Sequence, residues 1–536
     1  MIYINRFFFN IIDQLRELYL NSNFYDKKIS KVDSKKLIYK PSPHLLSSLI
    51  KYQTKKIKIE DFSLNEIWNN DQLTKKEYKK LNSFYWLFSL DLKSSKKTIQ
   101  SLITNWIYYN HKYNHRSWDF DLTAKRIIAL LSNYKLTYEE SDQDYKENFN
   151  KIIKKQSNHL INEINKSKIF DDKLIGCASI ILVGLCYGNE KNYLLFGSNL
   201  LKKISKFVLD NHGFPKSRSI KQSIFYLKYF ILIREWFKES QVNIPEHIDE
   251  TIYYLGQSYA FFSNDSGADF LFNGNNISNN EDFNNYLKRL GYKFKNENSE
   301  LGGYTVLKNK RINLMMDTGS TPSMKYTRDY QSGALSFEIL SNGRKLISNC
   351  GYYKKKNPQL NELSKSSATQ NTLVIDDNSS CKFTNINGIF FVKNGLKIIK
   401  RNYVLEKNYW KINASHDGYI KKYNSIHERE IEFYPEQMIF IGIDKIIKKK
   451  TNHNYKFDIR FHVEPNVKLM KTQDNKTILL ELHDEGWKFT CDNFNINIDN
   501  GLYFGKKNSY TENQNIFITG ISNNQIENIR WEIKKI

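Results

Sequence analysis

Ser263–Asp282 reads SNDSGADFLFNGNNISNNED, a run crowded with Asn, Gly, Ser and Asp. Such a composition marks loops and turns and an approaching domain boundary. The apolar period changes across it. On the N-terminal side, from about Leu64 to Leu255, apolar residues recur at helical spacing in LITNWIYYNHKY, AKRIIALLSNYKL, NFNKIIKKQSNHLINEINK, CASIILVGLCYG, YLLFGSNLLKKISKFVLD and QSIFYLKYFILIREWF. Each is long enough for an amphipathic helix, and polar or Gly-containing breaks separate them. After Leu301 the runs shorten to YTVLKN, RINLMMD, ALSFEIL, KLISNC, NTLVIDD, GIFFVKN, EIEFYP, MIFIGI, FDIRFHV, TILLEL, GWKFTCD and NIFITG. Many alternate with period two, the spacing of half-buried strands.

The sequence therefore predicts an α+β multidomain chain: antiparallel helix hairpins, packed side by side or in a ring, followed by an antiparallel β-sandwich or stacked sheets. The expected division is a lead segment over 1–63, a helical domain over 64–290 and a β domain over 301–536. No repeat of fixed period appears, so the common solenoids are not supported.

At 536 residues the chain exceeds what one core usually serves, and 40% hydrophobic with 14% aromatic residues excludes a disordered chain. Lys and Arg number 81 against 57 Asp and Glu, a net charge of +24. That excess points to a polyanionic partner: nucleic acid, an anionic polysaccharide or an anionic membrane surface. The richness in Lys, Asn, Ile, Tyr and Phe, with only 8 Pro, is also what a biased genome produces without selection on charge. Five cysteines without a CxxC pair argue against a zinc ribbon or a redox centre. No apolar run reaches membrane-spanning length. The start, MIYINRFFFNIIDQLRELYL, reads as an amphipathic helix rather than an export signal, because Asp13, Arg16 and Glu17 interrupt the apolar patch.

Motifs make the reading more specific. The chain resembles the heparinase II/III-like proteins of bacteria over roughly Leu81 to Gly520. In the helical part the resemblance rests on Leu81–Leu87, on Trp118 followed by Ala124-Lys125-Arg126, and on His212-Gly213-Phe214-Pro215-Lys216-Ser217-Arg218. In the β part it rests on Gly303-Tyr304, Met316-Asp317-Thr318-Gly319 and Gly333-Ala334-Leu335-Ser336-Phe337-Glu338. It continues through Asn349-Cys350-Gly351, Asn371-Thr372-Leu373-Val374, His416-Asp417-Gly418-Tyr419, His427-Glu428-Arg429 and Arg460-Phe461-His462. No single piece is specific; their order and spacing are. The resemblance implies an (α/α) toroid ahead of an antiparallel β-sandwich.

It also implies a chemistry, β-elimination on a uronic-acid polysaccharide. The proton beside the sugar carboxylate leaves only if the carboxylate is bound and the developing enolate-like charge is stabilised. A Tyr or His must take that proton, and an acid must protonate the leaving oxygen. This chain departs from the family at those positions. A His commonly precedes the Gly-x-Leu-Ser-Phe-Glu strand, and Gln331 stands there; a second commonly precedes Asn-Thr-Leu, and Gln370 stands there. The Tyr that follows the Gly-rich turn is matched by Gln222, with Tyr226 one helical turn later. The carboxylate-binding Asn expected near Asp171–Ile175 is missing. Gln is no general base near neutral pH, although it can donate to a carboxylate. The remaining candidate bases are Tyr226, Tyr330 and His212. The candidate substrate-binding residues are Arg218, Gln222, Gln331, Gln370, Trp118 and Arg126.

Each has a structural alternative. His212 can cap helix carbonyls. Arg218 can pair with a neighbouring acid rather than a uronate. Gln222 and Tyr226 can simply pack on an apolar helix, Trp118 can anchor a helix start, and the two glutamines can sit on a polar strand face. His416, His427 and His462 could share a site with Asp417, or satisfy separate local bonds. If the resemblance holds in detail, Arg218, Gln222, Gln331 and Gln370 converge within about 15 Å around a sugar.

No cofactor is expected. No zinc is expected either, since Gln370, Cys350 and Ser336 occupy the neighbourhood where some relatives hold a cation, and an amide and a hydroxyl are poor zinc ligands. The expected partner is an anionic polysaccharide. Nucleic acid is disfavoured because no helix-turn-helix, RNP or zinc motif accompanies the charge. The resemblance implies a place in the cell envelope or periplasm, while the start of the chain allows the cytoplasm. Two functions stay open: a polysaccharide lyase, and a catalytically degenerate polysaccharide-binding or envelope-assembly protein.

Overall fold

The computed structural model describes residues 12, 14–31, 36–47, 49, 68, 73–90, 95–188, 192–263, 267–278, 280–354, 357–449 and 453–536. The amphipathic helix expected at the start lies mostly outside them, although residues 14–20 are helical. The expected start of the helical region near Leu64 also lies outside. A helical N-terminal region precedes an antiparallel, sheet-rich C-terminal region, as the change of period requires. The chain forms two compact units. One comprises Met1–Phe207, Tyr226–Ile252 and Asp282–Gly291; the other comprises Val208–Phe225, Tyr253–Glu281 and Tyr292–Ile536.

The helical unit is built around Phe170–Cys186, buried at every position from Leu174 to Cys186. A helix apolar on all sides belongs inside a bundle. Two glycines let its neighbours approach. A β-carbon at Gly176 would lie 2.5 Å from the Phe120 ring, and one at Gly184 would lie 2.6 Å from the backbone nitrogen of Leu194. The outer helices start on local caps: Asp142 accepts from the Tyr145 N–H, Ser95 accepts from Thr98, and Thr74 with Glu77 forms a reciprocal capping box. Among the described residues no helix is long and apolar enough to cross a membrane.

Among the described residues the sheet unit holds a five-stranded, an eight-stranded, a four-stranded and a two-stranded sheet. The ladders between their strands are antiparallel. Ser425–Tyr434 and Ile439–Lys448, paired from Ser425↔Lys448 to Tyr434↔Ile439, alternate strictly between buried and half-buried residues. One core collects side chains from three sheets, among them Phe337, Ile459, Phe433, Trp487 and Trp531. Trp531 lies against Gly442, where a β-carbon would come within 1.9 Å of the indole. A second apolar cluster joins Phe214, Ile220, Phe261, Phe262, Phe270 and Phe272 to Tyr304, Met315 and Leu340. The sheet unit thus takes part of its interior from segments that lie between helices in the sequence.

Candidate active site

The turn after the helix Tyr193–Val208 is closed by Asp210, whose carboxylate accepts the N–H groups of His212 and Phe214, both at 2.9 Å. His212 itself is exposed on this turn. Gly213, at φ +70°, keeps it tight, and a β-carbon there would strike Tyr254. The turn delivers Arg218 in the left-handed region, φ 61°, an arrangement a non-glycine residue holds only when its surroundings fix it.

They do fix it. Arg218 donates from Nε to Gly302 O (3.0 Å), from Nη1 to Gly319 O (3.0 Å), and from Nη2 to Gly303 O (2.7 Å) and Asp317 Oδ1 (2.6 Å). Its guanidinium lies over the Tyr304 ring at 4.7 Å, and the Tyr304 hydroxyl donates to Arg218 O. Gly303 and Gly319 leave room for the group, since β-carbons there would fall within 3 Å of it. Burial acts to strip the proton from Arg218, but Asp317 outweighs it and holds the pKa above its usual value. Of the alternatives open for Arg218, pairing with a neighbouring acid is the one the structure shows.

From Asp317 the hydrogen bonds run on. Asn273 Nδ2 donates to Asp317 Oδ2 (3.3 Å) and to the Tyr304 hydroxyl (2.6 Å), and Gln331 N donates to Asn273 Oδ1 (3.1 Å). The Gln331 amide is fully taken up: Oε1 accepts from Gly274 N, while Nε2 donates to Gly351 O and Ser364 O. The Ser364 carbonyl also accepts from Thr369 Oγ1 (3.3 Å), which in turn accepts from Gln370 Nε2 (3.2 Å). Arg218, Gln331 and Gln370 are therefore joined in one network. Both glutamines are 1% exposed. They brace loops from inside rather than line an open surface. Gln222 accepts from Ser217 Oγ at 2.6 Å and is half-buried.

The other expected residues lie elsewhere. Trp118 and Arg126, expected to line a groove, are interior residues of the helical unit. Trp118 Nε1 donates to Asn110 O, and Arg126 donates to Asn82 O and Gln156 Oε1 while stacking on Trp106 at 4.2 Å. Fitting an indole and a guanidinium into a helix bundle consumed the polarity that had suggested a surface role. Tyr226 is buried on its helix. Tyr330 is fully buried with Ala334, Cys381, Val392 and Leu396, and burial pushes its pKa well above that of a free phenol. That opposes its use as a base.

Of the three motif histidines two meet and the third stands apart. His427 Nδ1 meets His416 Nε2 at 3.3 Å, and His427 Nε2 meets Asp444 Oδ1 at 2.7 Å. Arg429 and Trp531 also donate to Asp444. The expected partner Asp417 instead accepts from Lys397 N, and His462 Nε2 meets Ala368 O. The network of His416, His427, Arg429 and Asp444 is wholly interior.

One open cleft of about 700 Å³ borders the Arg218 clamp within the sheet unit. Its wall includes Lys216, Tyr326, Lys400 and Arg401, with Asp210 as its acid. Lys400 and Arg401 are exposed on the edge strand Ile398–Leu405; Arg401 also pairs with Glu300 at 3.1 Å. The sequence reading passed over Tyr326, Lys400 and Arg401. The edge strand is largely exposed and mixes apolar with polar residues on both faces, so it lacks a period-two signal, and Tyr326 sits in a short 3-10 turn. Among the described residues, no group of three or more His, Cys, Asp or Glu side chains is arranged to hold a metal ion.

Residues 297–532 match the family described as Heparinase II/III-like, C-terminal. No curated protein matches the chain. Among solved structures the fold is similar to a crystal structure of heparinase III, at TM-score 0.70 and 14% identity over 96% of this chain and 89% of that one. It is also similar to the heparan sulfate lyase HepC from Pedobacter heparinus, at TM-score 0.67 and 11% identity over 96% and 87%. A third likeness is the heparinase III BT4657 gene product, at TM-score 0.70 and 11% identity over 96% and 85%. At such identities the likeness is one of fold.

Proposed function

We propose, for a chain that belongs through residues 297–532 to the heparinase II/III-like family, that it is a polysaccharide lyase acting on a uronic-acid polymer by β-elimination. The observation that carries this reading is the cleft beside the Arg218 clamp, lined by Lys216, Lys400, Arg401 and Tyr326 with Asp210 as its acid. Lys216, Lys400 and Arg401 supply the charge to hold a uronate carboxylate and the enolate-like charge that grows on it. Tyr326 takes the proton from the carbon beside the carboxylate. The C–H electron pair forms the new C=C bond, the neighbouring C–O bond breaks, and the leaving oxygen receives the proton that Tyr326 has taken. His212, on the turn that carries Asp210 and Lys216, is the alternative proton carrier. The named activities of heparinase III and heparan sulfate lyase support an acidic glycosaminoglycan-like polymer as the substrate class. Such a polymer places the enzyme in the cell envelope, which fractionation tests.

A second reading has its own support. The glutamines at both family histidine positions are interior, and their amides serve the backbone and Thr369. A chain that lost those histidines and recruited no other base would bind polymer without cutting it. Incubation with heparan sulfate, chondroitin sulfate, alginate and bacterial exopolysaccharide separates the two through the ultraviolet absorbance of the unsaturated uronate product. Turnover that Tyr326→Phe lowers by about 100-fold or more, with polymer affinity changed less than about threefold, fits the first reading. Saturable binding with no unsaturated product establishes the second.

A further inference from the structure

The segment that carries Tyr326 to the cleft is fastened on both sides of it. On one side Ser320 and Thr321 bind at and just before the start of the edge strand. Ile398 N donates to Ser320 Oγ (3.0 Å), Leu396 N donates to Thr321 Oγ1 (3.0 Å), and Thr321 N donates to Leu396 O (3.1 Å). On the other side Thr327 Oγ1 donates to Met324 O (2.7 Å) and accepts from Val392 N (3.0 Å). Val392 belongs to the hairpin formed by Lys382–Ile386 and Ile389–Asn394.

The remaining fastening is a buried cation. Lys365, the last residue of the helix Pro358–Lys365, is 1% exposed. Its Nζ donates to Arg328 O (2.6 Å), Tyr330 O (3.4 Å) and Phe390 O (3.1 Å). Two of these carbonyls belong to the Tyr326 segment and the third to the hairpin. The rings of Tyr352 and Phe383 each lie 5.5 Å from the same nitrogen. Among the described residues no carboxylate accepts from Lys365; Asp329 is held by Lys354 at 3.0 Å and by the Tyr352 hydroxyl. An ammonium has three protons, and this cage offers three acceptors. A neutral amine has two protons and a lone pair, so loss of one proton leaves a buried carbonyl without its donor. Burial brings the Lys365 pKa down to about 7, with Asp329 opposing the shift and Lys354 and Arg328 adding to it. The cage is therefore complete below that pH and one donor short above it.

We propose that Lys365 is a positioning residue for Tyr326: its protonated head clamps residues 320–330 to the hairpin, and loss of that proton slackens the clamp and displaces the phenol from the cleft. Lys365 acts only through the backbone it holds. The proposal rests on the reading of Tyr326 as the proton acceptor, whereas the clamp can be measured without turnover.

Hydrogen–deuterium exchange at pH 6 and pH 8.5, corrected for the intrinsic pH dependence of amide exchange, measures it. In the wild type the amides of residues 321–330 should lose protection by about tenfold between the two, while those of the strand Ser425–Tyr434 keep theirs. Lys365→Met should show the same low protection of residues 321–330 at both pH values, and its melting temperature establishes that it is folded. Where product forms, wild-type kcat should fall about tenfold over the same interval with KM changed less than about threefold, and that fall should be missing in Lys365→Met. Wild-type protection equal at the two pH values would overturn the proposal, as would a fall in kcat that persists unchanged in folded Lys365→Met. Protection that changes with pH in a chain that forms no unsaturated product upholds the clamp and refutes only the lyase reading.

Discussion

Arg218 shows how a motif residue that looks like a substrate ligand can be a structural pin. Four of its N–H groups go to three carbonyls and Asp317, inside a slot that only glycine at 303 and 319 leaves open. A buried charge left without its partner is more costly than the pair is worth. Arg218→Met should therefore destabilise the sheet unit by about 3–5 kcal/mol, and Asp317→Leu combined with it should recover part of that loss. Urea unfolding of the two single variants and the double variant reads this directly; additive losses would show that the two side chains do not act as a pair. Gly319→Ala, which drives a methyl group into the guanidinium, should mimic Arg218→Met. The motifs around Gly303, Asp317 and Gly319 were legible in the sequence. Their purpose was not, because it depends on an arginine about a hundred residues away closing on all three.

At the scale of elements, close packing is set by glycines whose role appears only in the contact. Gly184 faces the first turn of the helix Tyr193–Val208, and Gly442 faces the Trp531 indole on the neighbouring strand. Alanine at either position overpacks a site with no room, and each should cost about 1–3 kcal/mol, seen as a lowered urea midpoint with an unchanged slope. Unaltered stability in both would mean that the neighbours relax freely. Long helices and alternating strands were readable because one period ran through each. The strands Ile398–Leu405 and Asn495–Tyr503 went unread because much of each faces solvent, so apolar alternation never develops. One of them supplies two of the cleft's cations.

The whole molecule should lose stability in mild acid. His159 in the helical unit and His462 in the sheet unit have pKa values lowered to about 3, chiefly by burial; His416 and His427 are lowered in the same direction for the same first cause. The folded chain resists protonating them, while the unfolded chain protonates them near pH 6.5. The unfolded state therefore binds more protons below that pH. Stability should fall as pH drops from about 6.5 toward 3, by up to about 1.4 kcal/mol per pH unit for each of His159 and His462, with His416 and His427 acting in the same sense. Urea midpoints at pH 7, 6 and 5 test this, and a flat profile would contradict it. Segment membership gives a second test. A fragment of residues 297–532 lacks Arg218 and the phenylalanines at 214, 261, 262, 270 and 272 that pack on Tyr304, Met315 and Leu340. Unlike the full chain, it should give no cooperative thermal transition by near-ultraviolet circular dichroism.

The sequence alone determined the order of helical and β regions, the residues that build their cores, and the family resemblance. All of these follow from local periodicity and from motifs read in order. It also located the departures at Gln331 and Gln370. Only the tertiary structure decided which polar residues are interior. Hydrogen-bond geometry, not residue type, turned Arg218, Gln331 and Gln370 into a bracing network and placed Trp118 and Arg126 inside the helical unit. It likewise paired His427 with Asp444 rather than Asp417. The cleft cations come from segments far apart in the chain, each unremarkable by itself in a sequence with 81 basic residues. A charge becomes a site only when folding sets it beside others, and that proximity is a property of the long-range contacts that no local pattern records.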